Sequence, residues 1–420
     1  MKKIILFALI VRLIFIFGHY HPDLGNHLDW GNRLWEYGAK NFYGSSVWTV
    51  SWPNQPPGTM YLWGLLSKVN QGIFNVFWYV NLNIPAFPSF IIPFLEKSLH
   101  PALVKLPSVL AELGIGWLIY QFLLHFGLKK KKALSGAALF LFNPVIVYNS
   151  AVWGQTDGVV NFFALFAFFL TLKKKYLWGI LAFMFSIYVK LSLIIFLPLF
   201  LLLLWREKVP VAKIILNFTL SFLFIVLISL PFTHGNPVLW LKGLYQARII
   251  GGQGNMLTAN AFNLWAIIFG IDLSRPDVGT FLNLSYKIWG IILFSLGFVA
   301  TIFKFEKNKF NNQSFFFSLA LVSFFSFMFL TNMHERYLYP AFPYLALLTA
   351  WGFLPLAIYI TISVIHLLNL YNLWFYPDIG FGVSFLNWLP SVKILSLILL
   401  LMNFYIIYRF YSLNQSKKGE

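Results

Sequence analysis

The sequence predicts an all-α, polytopic transmembrane helical bundle, and three observations carry that prediction. Of the 420 residues, 59% are hydrophobic and only 10% are charged. Apolar runs of membrane-crossing length recur along the chain, whose mean hydropathy is +0.73. The lysines gather in the short gaps between those runs. A soluble fold cannot hide this much apolar surface, because part of any globule stays wet. About 20 apolar residues cross a bilayer as a helix, and lipid admits only helices or closed barrels. The runs lack the alternation of barrel strands, so helices are predicted. The net charge of +18 does not call for nucleic acid, since its clusters follow the positive-inside pattern. They are the lysines at 129–132 and 173–175, Arg206 with Lys208, and Lys304, Lys307 and Lys309. The absence of cysteine excludes a disulfide framework, a thiolate metal site and a cysteine nucleophile.

With the basic clusters taken as cytoplasmic, the elements follow in order. Residues 4–17 form an uncleaved first span, since no small-x-small cleavage site follows the apolar stretch. That span delivers a polar insert, 19–57, to the outer face. The insert holds Asp23, Asp29 and Glu36 of the 13 acidic residues, and His19, His21 and His27 of the 8 histidines. Residues 61–95, interrupted by Lys68, Asn70, Asn81, Asn83, Pro85 and Pro88, read either as two short spans or as a broken, re-entrant element. Residues 106–125 return inside, 133–148 go out and 159–172 come back. Residues 176–205 have Lys190 at their middle and basic clusters at both ends, which requires an even number of crossings. Two half-length helices turning near Lys190 meet that requirement. Residues 213–230 lead out to a polar stretch, 286–303 return, and 315–330 lead to the MHERY motif. Residues 337–373, with Gly352 and Pro355 near the centre, read as a hairpin, and 392–408 bring the tail SLNQSKKGE inside. The count is about 12 to 14 spans, with both termini cytoplasmic. The chain reads as one membrane domain, 1–420. Within it, 18–57 is the first extracytoplasmic loop, 232–284 a second large extracytoplasmic segment, and 374–420 the terminal span and tail. No internal repeat is visible.

Four polar motifs converge on the outer face: the insert, WGQTDG, the region 251–263, and MHERY. In the insert, Asp23 lies just beyond the first span, near both lipid headgroup and solvent. His27 and Asp29 follow within seven residues. An Asp–His–Asp metal site is one reading of that triplet. Trp30, Trp35, Tyr37, Phe42 and Tyr43 fit the aromatic belt of an interfacial amphipathic helix as well as a binding wall. The Pro56-Pro57 pair fixes the backbone and starts the next helix, leaving Trp52 and Gln55 to line a cavity. In WGQTDG, Asp157 is a site candidate or an ordinary N-cap, and the amide of Gln155 needs a polar partner. Lys190 is expensive between apolar half-helices unless it snorkels or pairs, and its functional reading is an anion contact. His334, Glu335 and Arg336 put a base, an acid and a planar phosphate donor at a span end. Glu335 with Arg336 also fits a surface ion pair.

Together these residues resemble the GT-C superfamily of polytopic glycosyltransferases. The chain looks most like prokaryotic mannosyltransferase-like proteins related to the second mannosyltransferase of GPI anchors. It is also similar to dolichyl-phosphate-glucose-dependent glucosyltransferases. The motifs that carry the resemblance, in order, are DLGNHLDW, QPPGTMYLW, KLPSVLAEL, WGQTDG, KLSLIIFLP, LTANAFNLW and MHERYLYP. The resemblance implies transfer of a hexose from a polyprenyl-phosphate sugar to an acceptor hydroxyl, with inversion, on the outer face of the cytoplasmic membrane. The acceptor would be a glycan, a lipid-linked group or a protein. Asp23 would be the general base, with His27 and Asp29 as secondary candidates. Arg336, His334 and Lys190 would bind the donor phosphate. Gln155, Asp157, Glu335, Asn260, Asn263 and Gln55 would bind sugar or acceptor. The chain departs from the pattern in carrying Glu112 where the family commonly has an aspartate. It has no contiguous Asp-x-Asp, so no metal cofactor is assigned. A transporter, or a scramblase or lipid-binding protein without chemistry, is the alternative reading. Transporters usually place charges at the midplane of repeated, broken helices, whereas here the charges crowd one face.

Overall fold

Apolar sequence becomes helix almost throughout the chain. The computed structural model describes residues 1–18, 21–252 and 254–413. His19 of the insert, and the tail beyond Leu413, lie outside the described residues. The first helix, α1 (Lys2–Phe15), is followed by α2 (Pro22–Phe42), α3 (Pro57–Asn83), α4 (Ile91–His125), α5 (Lys130–Leu141) and α6 (Pro144–Val147). A π-helical turn, Tyr148–Trp153, leads to α7 (Asp157–Leu172) and α8 (Tyr176–Val189). A 3₁₀ segment, Leu191–Phe196, continues into α9 (Leu197–Arg206) and then α10 (Val211–Ser229). The polar stretch that follows holds α11 (Pro237–Leu244), a second π-turn (Tyr245–Ile250) and α12 (Leu264–Phe269). It ends in a small antiparallel hairpin that pairs Thr280–Phe281 with Leu284–Ser285. Next come α13 (Tyr286–Lys307), α14 (Asn312–Phe329), the 3₁₀ segment Glu335–Ala341, α15 (Phe342–Trp351), α16 (Leu356–Tyr371), α17 (Gly380–Asn387) and α18 (Leu389–Tyr411).

The helices differ in whether each is by itself long and apolar enough to cross a membrane. Among the described residues, five are long and apolar enough to cross: α4, Val211–Phe232, α13, α14 and Pro390–Tyr411. A sixth crossing arises if α5 and Pro144–Trp153, bent by 46°, act as one. Several other apolar segments are shorter helices joined by breaks. One break falls at Lys190, whose extended backbone (φ −157°, ψ 130°) ends α8. One expectation changes. Residues 61–95 are neither two short spans nor a re-entrant element: α3 is continuous for 27 residues and α4 for 35, through Pro101 and Pro107. In the insert 18–57, the amphipathic-helix reading of the aromatic stretch is the one found: α2 covers residues 22–42, kinked at Gly38.

The main core gathers apolar side chains from α4, α5, α7–α9 and α14–α16. A second cluster, around Leu24, Trp30, Phe42, Met60 and Trp63, seals α2 against α3. Most of the insert's aromatics are therefore packing groups, though Trp35 stays 52% exposed and donates to the Gly64 carbonyl at 2.6 Å. The two helices approach so closely that a Cβ on Gly31 would lie 2.6 Å from the Trp63 carbonyl oxygen. Gly31→Ala must push α2 off α3, and overpacking of this kind costs about 1–3 kcal/mol. A lowered unfolding midpoint in detergent micelles checks this, and Gly72→Ala, with open space around it, is the control.

Candidate functional site

The site forms where irregular backbone meets the start of α7. Gly154 ends the first π-turn in the left-handed region (φ +88°), which only glycine adopts without strain. The turn that follows carries Gln155 and Thr156 into α7. Ser108 on α4 donates to the Gln155 backbone carbonyl and fixes this turn. The Gln155 amide donates to Asp23 Oδ2 at 2.7 Å, joining two motifs that are 132 residues apart in sequence. Arg336 Nη1 lies 3.4 Å from the same oxygen and 3.0 Å from Glu335 Oε1. Lys190 Nζ donates to Asp157 Oδ1 at 3.0 Å. Asp157 is in the first turn of α7, where Thr156 is the N-cap residue, so its carboxylate serves the ion pair rather than a cap. Glu335 is 2% exposed, and its pair with Arg336 is buried rather than a surface contact. Lys190 and Arg336 both stand over the Tyr337 ring, at 5.5 and 5.6 Å.

Asp157, Lys190, Arg336, Tyr337, Asn54 and Gln55 line one cavity of about 270 Å³. Three polar atoms of its lining residues have no protein partner: Arg336 Nε, Asp157 Oδ2 and Gln55 Oε1. Unpaired buried polar groups are costly, and these three belong to residues that line one cavity.

The other predicted residues take different places. His27 is buried and stacks on Trp63 at 4.6 Å. Asp29 accepts from Arg33 at 3.2 Å and from Thr49 at 2.9 and 2.7 Å, pinning the following loop to α2. The Asp–His–Asp metal reading therefore fails on geometry, and among the described residues no group of three His, Asp or Glu side chains is arranged to hold a metal. Asn263 is the N-cap of α12, accepting from Trp265 and Ala266 backbone N–H groups. Asn260, at φ +69°, exchanges hydrogen bonds with Asn372 at 2.7 and 2.9 Å. His334 packs on Tyr337 at 5.1 Å and pairs its backbone with Ala259 and Asn260. The last three support the site's walls without lining the cavity.

Sequence reading missed one buried network beneath the site. Arg12 on α1 donates to Glu112 Oε2 at 2.8 Å. Ser150 and Tyr339 donate to the Glu112 carboxylate at 2.7 and 3.1 Å. The available signal was an arginine inside an apolar span, which requires a partner.

Charge in the site is nearly balanced. Burial alone would raise the Asp23 carboxyl, but the charges of Arg336, His21 and His27 and the Gln155 hydrogen bond outweigh it and hold it at about 2. Burial pushes the Glu335 carboxyl up, against the pull of Arg336. Burial depresses the His27 ring to about 4; Lys190 and Arg336 act in the same direction, and Asp23 and the Gly154 backbone oppose them. A histidine with a depressed folded pKa binds its proton more readily when unfolded, so stability falls as pH drops from about 6.5 towards 4. The Asp23 contribution is complete above the ordinary aspartate value of 3.8 and is lost only towards 2, so the mild-acid window belongs to the buried histidines, His27 and the likewise depressed His334 among them. Unfolding midpoints between pH 7 and 4.5 should fall for the native chain and fall less for His27→Phe, which keeps the stacked ring without a titrating nitrogen.

No curated protein matches the chain. A family model described as GPI transamidase subunit PIG-U matches residues 8–270. This overturns the expected transfer of mannose or glucose from a polyprenyl-phosphate donor with Asp23 as base, because the matched family is described as a transamidase subunit and not as a sugar transferase. It lends nothing to the alternative of a transporter, or of a scramblase or lipid-binding protein, either. The GT-C-like, multi-pass membrane architecture stands. With more than half of its length under that model, the chain belongs to the PIG-U family of multi-pass membrane proteins.

Proposed function

We propose that this chain is a membrane-embedded binding subunit of a GPI-transamidase-type assembly, holding the phosphate-bearing headgroup of a glycolipid in the Lys190–Arg336 cavity. The observation that carries this reading is the pair of cations on one cavity wall, with Arg336 Nε still unpartnered. Lysine has three donors and arginine five, more than Asp157, Asp23 and Glu335 engage here. A planar guanidinium suits phosphate oxygens, and the unpaired oxygens of Asp157 and Gln55 suit hydroxyl or amine donors. Asp23 acts here as the counter-charge of Arg336.

The depth of the cavity also supports a lipid headgroup. Asp157 and Lys190 are at the far ends of α7 and α8 from the lysines at 173–175. These helices have 16 and 14 residues, so the cavity is roughly 21–24 Å from that cluster along their axes. That is less than the roughly 30 Å hydrocarbon thickness. With the lysines on the cytoplasmic side, the cavity sits roughly 6–9 Å inside the opposite hydrocarbon boundary, so a headgroup phosphate seated there is drawn down between the helices and depends on the two cations in place of water. The site then faces away from the cytoplasm.

Binding of a GPI glycolipid to the whole chain in lipid nanodiscs tests the proposal. Lys190→Gln and Arg336→Lys should each weaken binding by about tenfold, the size of one charge-assisted hydrogen bond. A phosphate-free analogue should bind no better to the native chain than to either variant. Equal binding of native protein and both variants would reject the reading.

A further inference from the structure

A second cavity, of about 490 Å³, shares no lining residue with the polar site and lies between α12, the start of α13 and the small hairpin. Its wall includes Trp265, Ile268, Phe269, Phe281, Tyr286 and Trp289. Both indole N–H groups are already spent: Trp265 donates to the Phe329 carbonyl and Trp289 to the Phe281 carbonyl, each at 2.9 Å. The rings are thereby oriented, and they offer an occupant carbon rather than hydrogen bonds. The mouth is cationic. Arg275 stands 4.6 Å over the Phe269 ring, Lys393 Nζ is 3.5 Å from the Ile268 carbonyl oxygen, and exposed Lys287 follows Tyr286. Of the nearby acids, Asp272 is divided between Arg275 at 3.7 Å and Ser274 at 2.6 Å, and buried Asp277 accepts from Thr331 at 3.0 Å. Among the described residues no carboxylate pairs with Lys393 or Lys287.

The position along the membrane fits this chemistry. The far end of α13 carries Lys304 and Lys307. At 22 residues, α13 is about 33 Å long, a full hydrocarbon thickness. The mouth therefore lies at the surface opposite those lysines, where tryptophan and tyrosine favour the interface. We propose that this groove seats one acyl chain of an anionic phospholipid, with its headgroup phosphate held by Lys393 and Arg275. The site is independent of the Lys190–Arg336 cavity.

The test uses the full chain reconstituted with equal phosphatidylglycerol and phosphatidylcholine of identical acyl chains, with retained lipid counted by native mass spectrometry. Phosphatidylglycerol should be retained in preference by about fivefold, the effect of roughly one cation near a membrane surface. Arg275→Gln with Lys393→Gln should bring the ratio to parity, and Leu293→Trp, at the groove wall, should lower retention of both lipids. Lys190→Gln should leave the ratio unchanged, which separates this site from the glycolipid site. Equal retention in the native chain would overturn the proposal, as would selectivity surviving the double substitution. A photo-crosslinker at Phe281 that captured a protein helix rather than lipid would also overturn it.

Discussion

Arg12→Met should destabilise the protein by about 3–5 kcal/mol, because it strands a buried carboxylate. Arg12 and Glu112 are both fully buried. Arg12 also donates to the Ala8 and Leu141 carbonyls, each at 3.0 Å. Glu112 in turn receives Ser150 and Tyr339. The pair thus joins α1, α4, the end of α5, the first π-turn and the 3₁₀ segment carrying Arg336. Removing one partner leaves the other uncompensated in low dielectric, whereas removing both leaves no buried charge, only the Tyr339 hydroxyl and the Leu141 carbonyl without their ionic partners. Arg12→Met with Glu112→Met should therefore recover part of the loss. Equilibrium unfolding in mixed micelles measures both. Strict additivity of the two single substitutions would refute the ion-pair account.

The second large effect is at Arg336. Arg336→Leu leaves Asp23 and Glu335 without their shared cation, and an uncompensated buried charge costs about 3–5 kcal/mol. The carboxyl of Asp23 should then rise from about 2, since its strongest lowering influence is gone. The deficit relative to the native chain should consequently shrink at acid pH, where protonation relieves the repulsion. Arg336→Lys keeps the charge but loses the Nη1 that reaches both Glu335 at 3.0 Å and Asp23 at 3.4 Å. It should cost about 1–2 kcal/mol. Unfolding curves at pH 7 and pH 4 distinguish the three proteins. A leucine variant that loses as much stability as the native chain, or more, between pH 7 and pH 4 would contradict the charge argument.

Much of the site was legible because charge is rare in this chain. Asp23, Asp157, Lys190, Glu335 and Arg336 stand out in apolar surroundings that tolerate an ion only with a partner, and they do pair with one another. Which partner each would find was not legible: Gln155 meets Asp23 across 132 residues, and no local pattern encodes that separation. Asp29, His27, Asn260 and Asn263 looked alike as polar side chains in outer segments. Their roles as loop staple, stacked ring, strut and helix cap depend on Thr49, Trp63, Asn372 and Trp265. The chemistry assigned by resemblance failed for a related reason, since shared architecture does not transmit reaction type.

By itself the sequence determined the solvent and the secondary structure. Its hydropathy demands a membrane, and lipid demands helices, because backbone groups find no water there. It also determined the break at Lys190, where a charge between two apolar runs prevents one uniform span. Only the tertiary structure decided which apolar runs form helices of crossing length and which form half-length helices, and that α2 packs against α3. It alone decided that Arg12 answers Glu112 and that Asp23 is occupied by Arg336 and Gln155. Those outcomes depend on long-range pairing, in which each buried polar group takes the nearest partner that the packed helices supply.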